Sequence, residues 1–524
     1  MPELLPTRSL YQVNAPVGIE VRGLAGPAQL RVLSLGQIVE STPVAGDGFV
    51  DVGPLPPGGY GVVLAGAQTA VQVLPLEQHR FVLRYGFVAD YRPGRELTEV
   101  LDNIRRLHLT AVQCYDWAYR HADLVGGGEE YTDALGNPVS LDTVRRIVGA
   151  CHDAGADAIG YAAVYAVGGE EWPRWSGHAL RTATGAAYRL GDFLRLVDPA
   201  APAWVAHLSQ ELAAATELVG FDGYHLDQYG YPKHALGPSG EVVDVARSFV
   251  SAIESLRSRL PRSRLIFNNV NDFPTWATAS TAQDAVYIEV WEPNAEYADL
   301  ARLVTAARAA GKPVCVAAYQ HVYDTALVAA ADQATALTMA TLFSHGATHL
   351  LAGEADRILV DPYYVRNHPV QASTADLLKR WYDFLVEHHD LLMPAGIVDV
   401  TAAYAGAYNG DLDVEYAAAA VETSPVAGTV WRRVTRVGDW LVVHLVNLVG
   451  QPSTRWDAPH LPPGDPGTGT LRLRLVTGGS PWVLVADPDG SGHLEPVVVR
   501  ADGVEASADL PALHTWQVVL VRRR

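Results

Sequence analysis

Four times along this chain an apolar helical run stops at a glycine, and within a few residues becomes an apolar strand. The junctions are HDAGADAIGYAAVY at Gly155, ELVGFDGYHLDQY at Gly220, RAAGKPVCVAAY at Gly311 and FSHGATHLLAGE at Gly346. Glycine ends a helix there because it enters the left-handed region without a Cβ clash. The run that follows is apolar without alternation, as in a parallel strand buried on both faces. Helical stripes separate the strands. Val100, Leu101, Ile104 and Leu107 share one face, as do Leu141, Val144, Ile147 and Cys151, and Val245, Phe249, Ile253, Leu256 and Leu260. The strands are FVLRYGFVAD, LTAVQCYDW, ADAIGYAAVY, FDGYHLDQY, RLIFNNVND, DAVYIEVW, PVCVAAY and THLLAGE. Eight strands alternating with helices predict a (β/α)8 barrel over residues 81–395. A doubly wound open sheet is the weaker reading, since no glycine fingerprint follows the first strand.

The rhythm differs on either side. Residues 1–80 carry short β-like runs, GIEVRG, LRVLSL and AVQVLPL, broken by PLPPGG, and predict a small β-sandwich. After LLKRWYDFLVEHHDLL (377–392) strands return over 396–524: TVWRRVTRV, WLVVHLVNLV, TLRLRLV, PWVLVA, EPVVVRAD and TWQVVLV, with GD, GG and DPDG turns. These predict a second sandwich, and the fold class is multidomain α/β. Asp487–Pro488–Asp489–Gly490 reads as a plain turn rather than a calcium loop. Glu387–His388–His389–Asp390 reads as a solvated helix end, because adjacent histidines point about 100° apart on a helix and chelate poorly.

Composition narrows the function. A net charge of −19 in 524 residues opposes binding to nucleic acid or anionic membrane and suits a neutral substrate. Cys114, Cys151 and Cys315 sit apart in apolar runs and read as core residues, with no zinc spacing. No metal or cofactor is expected. There is no signal-like start and no apolar stretch of about 18 residues, so the expected location is the cytoplasm, or outside the cell if a leader has been removed.

Barrel enzymes place their chemistry at the C-terminal strand ends. Here those ends hold Asp90, Asp116, Tyr165, Asp227, Asn269, Glu289, Tyr319 and Glu354. Strand alternation puts Gly223, His225 and Asp227 on one face, opposite Tyr224 and Leu226. It puts Tyr287, Glu289 and Trp291 in one phase, with Glu292 left at the rim. Asp227 and Glu289 therefore point inward from strands two places apart. Two carboxylates across a cleft are the equipment for breaking a glycosidic bond: the short Asp suits a fixed nucleophile and the longer Glu a proton donor. Tyr115, Trp117, His121, Gln228, Tyr229 and Trp291 are further candidates for binding sugar. Tyr119, Trp172, Trp175 and Tyr231 are aromatic residues available for stacking on pyranose rings. No GxSxG elbow and no P-loop is present.

The segments RYGFVADY (84–91), VQCYDWAYRH (112–121), YTDALGNPVSLDTV (131–144), FDGYHLDQYG (221–230), YIEVW (287–291) and LLAGE (350–354) together resemble glycoside hydrolase family 66, over nearly the whole barrel and in order. That family comprises dextranases and cycloisomaltooligosaccharide glucanotransferases acting on α-1,6-linked glucans. The resemblance implies an immunoglobulin-like fold for the N-terminal sandwich and a retaining mechanism. It assigns Asp227 as nucleophile and Glu289 as acid/base. Cyclising members carry an insertion after the seventh strand, for which the roughly 30 residues here leave no room, so the expectation is a hydrolase of dextran or isomaltooligosaccharides. A transglycosylase on the same substrates and a non-catalytic glucan-binding barrel are the alternatives; the oligomeric state is open.

Overall fold

The computed structural model describes residues 2–475 and 481–522. Its centre is one sheet of eight parallel strands paired in chain order: β1 (Tyr85–Val88), β2 (Ala111–Cys114), β3 (Asp157–Ala163), β4 (Gly223–Asp227), β5 (Arg264–Val270), β6 (Ala285–Glu289), β7 (Val314–Ala317) and β8 (Ala347–His349). Between and after them run α1 (Thr98–Arg106), α2 (Leu141–Asp153), α3 (Pro202–Val219), α4 (Val245–Arg259), α5 (Tyr297–Arg308), α6 (Val328–His345) and α7 (Ala372–Glu387). The stripes expected of α1, α2 and α4 are largely buried, from Val100 and Ile104 to Phe249 and Leu256. Gly155, Gly220, Gly311 and Gly346 have φ of 72°, 95°, 70° and 82°, the left-handed values that end the helices before β3, β4, β7 and β8. The seam between β1 and β8 is joined by contacts just outside the paired strands. Thr348 Oγ1 donates to Leu83 O at 2.7 Å, and Asn103 Nδ2 to Gly353 O at 3.1 Å. Gly353 is pressed so close that an added Cβ would fall 2.2 Å from the Phe87 nitrogen.

At the N-terminal end a three-stranded sheet (Glu3–Pro6, Pro16–Arg22, Gly48–Pro54) faces a five-stranded one (Tyr11–Gln12, Ala28–Ser34, Gln37–Val44, Gly58–Leu64, Ala67–Leu74) around Val17, Ile19, Leu30, Val32, Val62 and Val73. The C-terminal part also forms two sheets. One carries the expected Val430–Val437, Trp440–Asn447, Trp482–Ala486 and Trp516–Arg522; the other pairs Gly469–Arg474 with Leu412–Tyr416 and Glu505–Leu510. These last two strands carried little sequence signal; Ala506, Ala508 and Leu510 alternate inward, but two of the three are alanines. EPVVVRAD splits into Glu495–Pro496 and Val499–Asp502. Val476 of TLRLRLV and the GG turn at 478–479 lie outside the described residues. Asp487 accepts the amide of Asp489 at 2.8 Å, the geometry of a plain turn.

The C-terminal sandwich shares core with the barrel, whereas the N-terminal one keeps a core of its own. Trp516 packs on Trp381 and Phe384 of α7, with ring centroids 5.8 and 5.2 Å apart. The Glu387–Asp390 segment corrects the expectation of a solvated helix end. Glu387 and His388 are buried because residues from both flanking parts cover them: Glu387 accepts from His493 at 2.7 Å, and Gly61 lies against its carboxylate. The three cysteines are buried and free.

Arg84 joins the N-terminal sheet to the base of the barrel. It is fully buried and donates to His108 O at 2.6 Å, Gln72 Oε1 at 2.7 Å and Ser9 O at 2.8 Å. Burial lowers its pKa to about 9, and its guanidinium is satisfied by dipoles rather than by a carboxylate. Arg84→Ala leaves three buried acceptors unpaired, each costing about 1–3 kcal/mol. The expected result is a loss of about 3 kcal/mol or more, read as a lower midpoint in urea unfolding.

Candidate active site

At the C-terminal end of the barrel a cleft opens over a floor of rings. His225 lies with its ring centroid 4.7 Å from Tyr287, 6.0 Å from Tyr85 and 6.2 Å from Tyr161. Tyr364, from the loop after β8, stacks on Tyr115 at 4.3 Å. Burial drives the pKa of His225 down to about 3, so the floor is uncharged.

Two carboxylates rise from this floor. Asp227 ends β4 and Glu289 ends β6; both line the cleft. Between them, from β5, stands Asn268, only 2% exposed. Its Nδ2 donates to Asp227 Oδ1 at 2.7 Å and to Glu289 Oε2 at 2.7 Å. An amide nitrogen carries two protons, so each carboxylate takes one. Two oxygens held by one nitrogen cannot be more than twice 2.7 Å apart. Tyr161 on β3 donates its hydroxyl to the other oxygen of Asp227 at 2.7 Å.

The environments of the pair differ. Both carboxyls are pushed above the ordinary carboxylate range by burial, Glu289 further than Asp227. Asp227 is pulled back down by the hydrogen bonds of Asn268 and Tyr161. Glu289 feels burial first and then the negative charge of Asp227, only partly offset by Asn268, Trp291 and Tyr319. Both carboxyls are thus biased toward protonation, and Glu289 the more strongly, so a proton shared by the pair favours Glu289.

Asp116 also lines the cleft, just after β2, with φ 46° turning the chain there. Burial, then Asp133 and Asp227, raise its pKa to about 8. His121 lies beside it, pushed down to about 4 by burial, with Nδ1 unpartnered among the described residues. Tyr115, Gln228, Tyr229, Trp291 and Tyr319 complete the expected residues that reach the cleft. The Gln228 amide is already spent on backbone, donating to Asn268 O at 3.0 Å and Phe273 O at 2.9 Å.

Five expected residues do not reach it. Asn269 is one position out of phase: it turns outward, accepting from Thr278 and donating to Tyr287 O at 2.9 Å, and Asn268 holds the inward place. Glu354 is clamped at the β1–β8 seam by Arg95 and the amides of Ala89 and Asp90, because a buried carboxylate needs that pairing. Asp90 belongs to the same cluster, beside Arg92 and Arg95. Tyr165 spends its hydroxyl on Tyr231 O at 2.6 Å and the Tyr229 amide at 3.0 Å, shaping the loop after β4. Trp117 is fully buried, with Nε1 on Tyr161 O at 3.2 Å. Of the four stacking aromatics, Tyr119 packs on Tyr131, Trp172 beneath Arg195 and Trp175 on Trp204, while Tyr231 donates to Arg189 O; none lines the cleft. Sequence reasoning missed Tyr161, His225, Asn268, Tyr287 and Tyr364, and an apolar wall of Leu190, Phe193 and Leu194 from the hairpin after β3.

The family model for glycosyl hydrolase family 66 matches residues 61–520. Two curated relatives from Niallia circulans, each named cycloisomaltooligosaccharide glucanotransferase, are similar. One is 27% identical over 46% of this chain and 28% of its own length; the other is 21% identical over 84% and 62%. The chain thus spans under two thirds of either relative. A Paenibacillus cycloisomaltooligosaccharide glucanotransferase, solved with cycloisomaltoheptaose, superposes with a TM-score of 0.87 over 99% of this chain and all of that one, at 18% identity.

Asn268→Ala removes the donor shared by the two carboxyl groups. Both carboxyls then hold their protons to higher pH, by roughly one pH unit, since a charge-assisted hydrogen bond is worth about 1.5–3 kcal/mol. Carbodiimide labelling of Asp227 and Glu289 across pH, read by peptide mass spectrometry, measures the change without any substrate.

Proposed function

The chain belongs to glycosyl hydrolase family 66, and from that premise we propose that it is a retaining glycosidase of α-1,6-linked glucans, cleaving dextran or isomaltooligosaccharides. The observation that carries this reading is the pair of carboxylates sharing the Asn268 amide. Retaining glycosidases hold their two carboxyls about 5–5.5 Å apart, whereas inverting enzymes leave about 6.5–9.5 Å for a water. A shared nitrogen keeps the nearest oxygens within the shorter range. The substrate class is carried by the names of the relatives, which concern cycloisomaltooligosaccharides.

In the first step a lone pair of Asp227 attacks the anomeric carbon. The C1–O bond to the departing sugar breaks, and the proton of Glu289 passes to that oxygen. Asp227 is then an uncharged ester. Burial still raises the pKa of Glu289, but the second cause, the charge of Asp227, is gone, so Glu289 holds a proton less firmly in the intermediate than in the free enzyme. In the second step Glu289 takes a proton from water, the water oxygen bonds to C1, and Asp227 leaves as a carboxylate. Asn268 keeps a donor on each partner throughout. Tyr161 holds Asp227 in line, and the uncharged ring floor lets the developing sugar cation be felt mainly by the carboxylates.

Transfer to a sugar hydroxyl instead of water uses the same two steps. The glucanotransferase names of the relatives favour this second reading. Against cyclisation stands the short β7–β8 connection, filled by α6 and one helical turn at Val322–Thr325. Sizing products from a panel of α-glucans of defined linkage separates hydrolysis, transfer and a different linkage.

Asp227→Ala and Glu289→Gln are each expected to lower turnover about 10³-fold or more while folding normally. Azide should restore Asp227→Ala and give a glucosyl azide of inverted configuration; unchanged turnover in either variant contradicts the assignment. The pH profile of kcat/KM should be a bell. Its acid limb is the protonation of Asp227 and its alkaline limb the loss of the proton from Glu289, both displaced upward from ordinary carboxylate values because both pKa values are raised.

A further inference from the structure

A short segment of the C-terminal part, Thr454–His460, lies between its strands and rests on the loops that follow β6 and β7. It grips the loop between β6 and α5 through backbone: Tyr297 N donates to Thr454 O at 2.9 Å and Trp456 N to Ala295 O at 3.1 Å. Side chains add to this. Thr454 Oγ1 donates to Glu296 Oε2 at 2.6 Å, Trp456 Nε1 to Asn294 O at 2.8 Å, and Arg455 pairs with Glu292. The Trp456 ring is buried. The next residue engages the loop after β7: Asp457 Oδ1 accepts the Val322 amide at 3.0 Å and Oδ2 bonds His321 Nδ1 at 3.0 Å. One segment thus ties together the two loops that flank the proton donor.

Those loops carry the wall next to Glu289. Trp291 lies with its ring centroid 5.6 Å from Tyr319 and 6.4 Å from His321. Trp291 and Tyr319 face the cleft; His321 backs Trp291. The sheet order β4–β5–β6–β7 puts this wall beyond Glu289 as seen from Asp227. In the proposed reaction the anomeric carbon sits over Asp227 and the departing oxygen beside Glu289. The wall beyond Glu289 therefore faces the departing, or accepting, sugar.

We propose that the Thr454–His460 segment is a specificity element of the active site, with Asp457 a positioning residue that sets the Trp291–Tyr319 wall for the sugar on the leaving side. This rests on the glycosidase reading above. A wall placed this way acts on substrates whose leaving group is a sugar and not on those whose leaving group is a nitrophenolate, which needs neither stacking nor much protonation. That contrast is one which general destabilisation does not produce.

The test compares the full-length protein with Asp457→Ala and the isosteric Asp457→Asn on two substrates: isomaltohexaose, and a p-nitrophenyl α-isomaltooligoside read at nitrophenolate release. For Asp457→Ala the expected result is KM for isomaltohexaose raised about tenfold, the scale of one lost charge-assisted hydrogen bond. Its nitrophenolate release should stay within twofold. Asp457→Asn, which keeps an acceptor for the Val322 amide, should recover part of the loss. If Asp457→Ala does not fold, the same split in Asp457→Asn carries the test. Equal losses on both substrates, or no loss on either, overturn the positioning role while leaving the glycosidase reading intact. A wild-type protein inactive on both substrates overturns the glycosidase reading and this one with it.

Discussion

A single side-chain amide organises the cleft. Two buried carboxylates a few ångströms apart repel each other and both lose hydration, so left alone both would take up protons. Asn268 offers one proton of its amide to each, at 2.7 Å on either side. This holds the pair together, and with Tyr161 on the far side of Asp227 it makes their environments unequal. Burial raises both pKa values; donors on both oxygens draw Asp227 back, whereas Glu289, with donors of its own, also feels the charge of Asp227. The proposed division of labour, Asp227 as ionised nucleophile and Glu289 as protonated acid, rests on this asymmetry. The rest of the fold keeps three strand ends, β4, β5 and β6, in the register that allows it.

The barrel is joined to both flanking parts. The base is fixed to the N-terminal sheet through Arg84, and α7 is sandwiched between that sheet and the aromatic cluster around Trp516. The seam between β1 and β8 carries Glu354, Asp90 and Arg95, charged residues that meet one another and not the cleft. Two buried carboxyls at one rim differ in what neutralises them: Glu354 has a guanidinium, Glu289 only neutral donors and a like charge.

The barrel was legible because strands buried on both faces leave unbroken apolar runs, and left-handed glycines leave a sharp mark before four of them, β3, β4, β7 and β8. The sandwiches were legible where their strands are rich in Val and Leu, and not where alanines fill the inward places, as in Glu505–Leu510. Within the site, alternation picked out Asp227 and Glu289 because apolar neighbours in the other phase, Leu226 and Ile288, leave one polar face. It failed one strand away. In RLIFNNV both phases are apolar before the two asparagines, so nothing in the pattern says which amide turns in, and Asn269 was expected in the place Asn268 holds. Tyr161, His225 and Tyr287 were hidden for a related reason: rings on a barrel floor look like core residues until the topology brings them together. The hold of Asp457 on the loop after β7 joins residues 135 positions apart and has no local signature at all.

The claim on which the account turns is that Asp227 bonds covalently to the sugar while Glu289 handles the proton. Incubation with 5-fluoro-α-glucosyl fluoride, which slows breakdown of a glycosyl-enzyme, followed by proteolysis and fragment mass spectrometry, addresses it directly. The account predicts one fluoroglucosyl group per chain, carried by Asp227 within the FDGYHLDQYGYPK segment. A label on Glu289 or Asp116, or steady turnover of the reagent with no labelled intermediate and an inverted product, would contradict it.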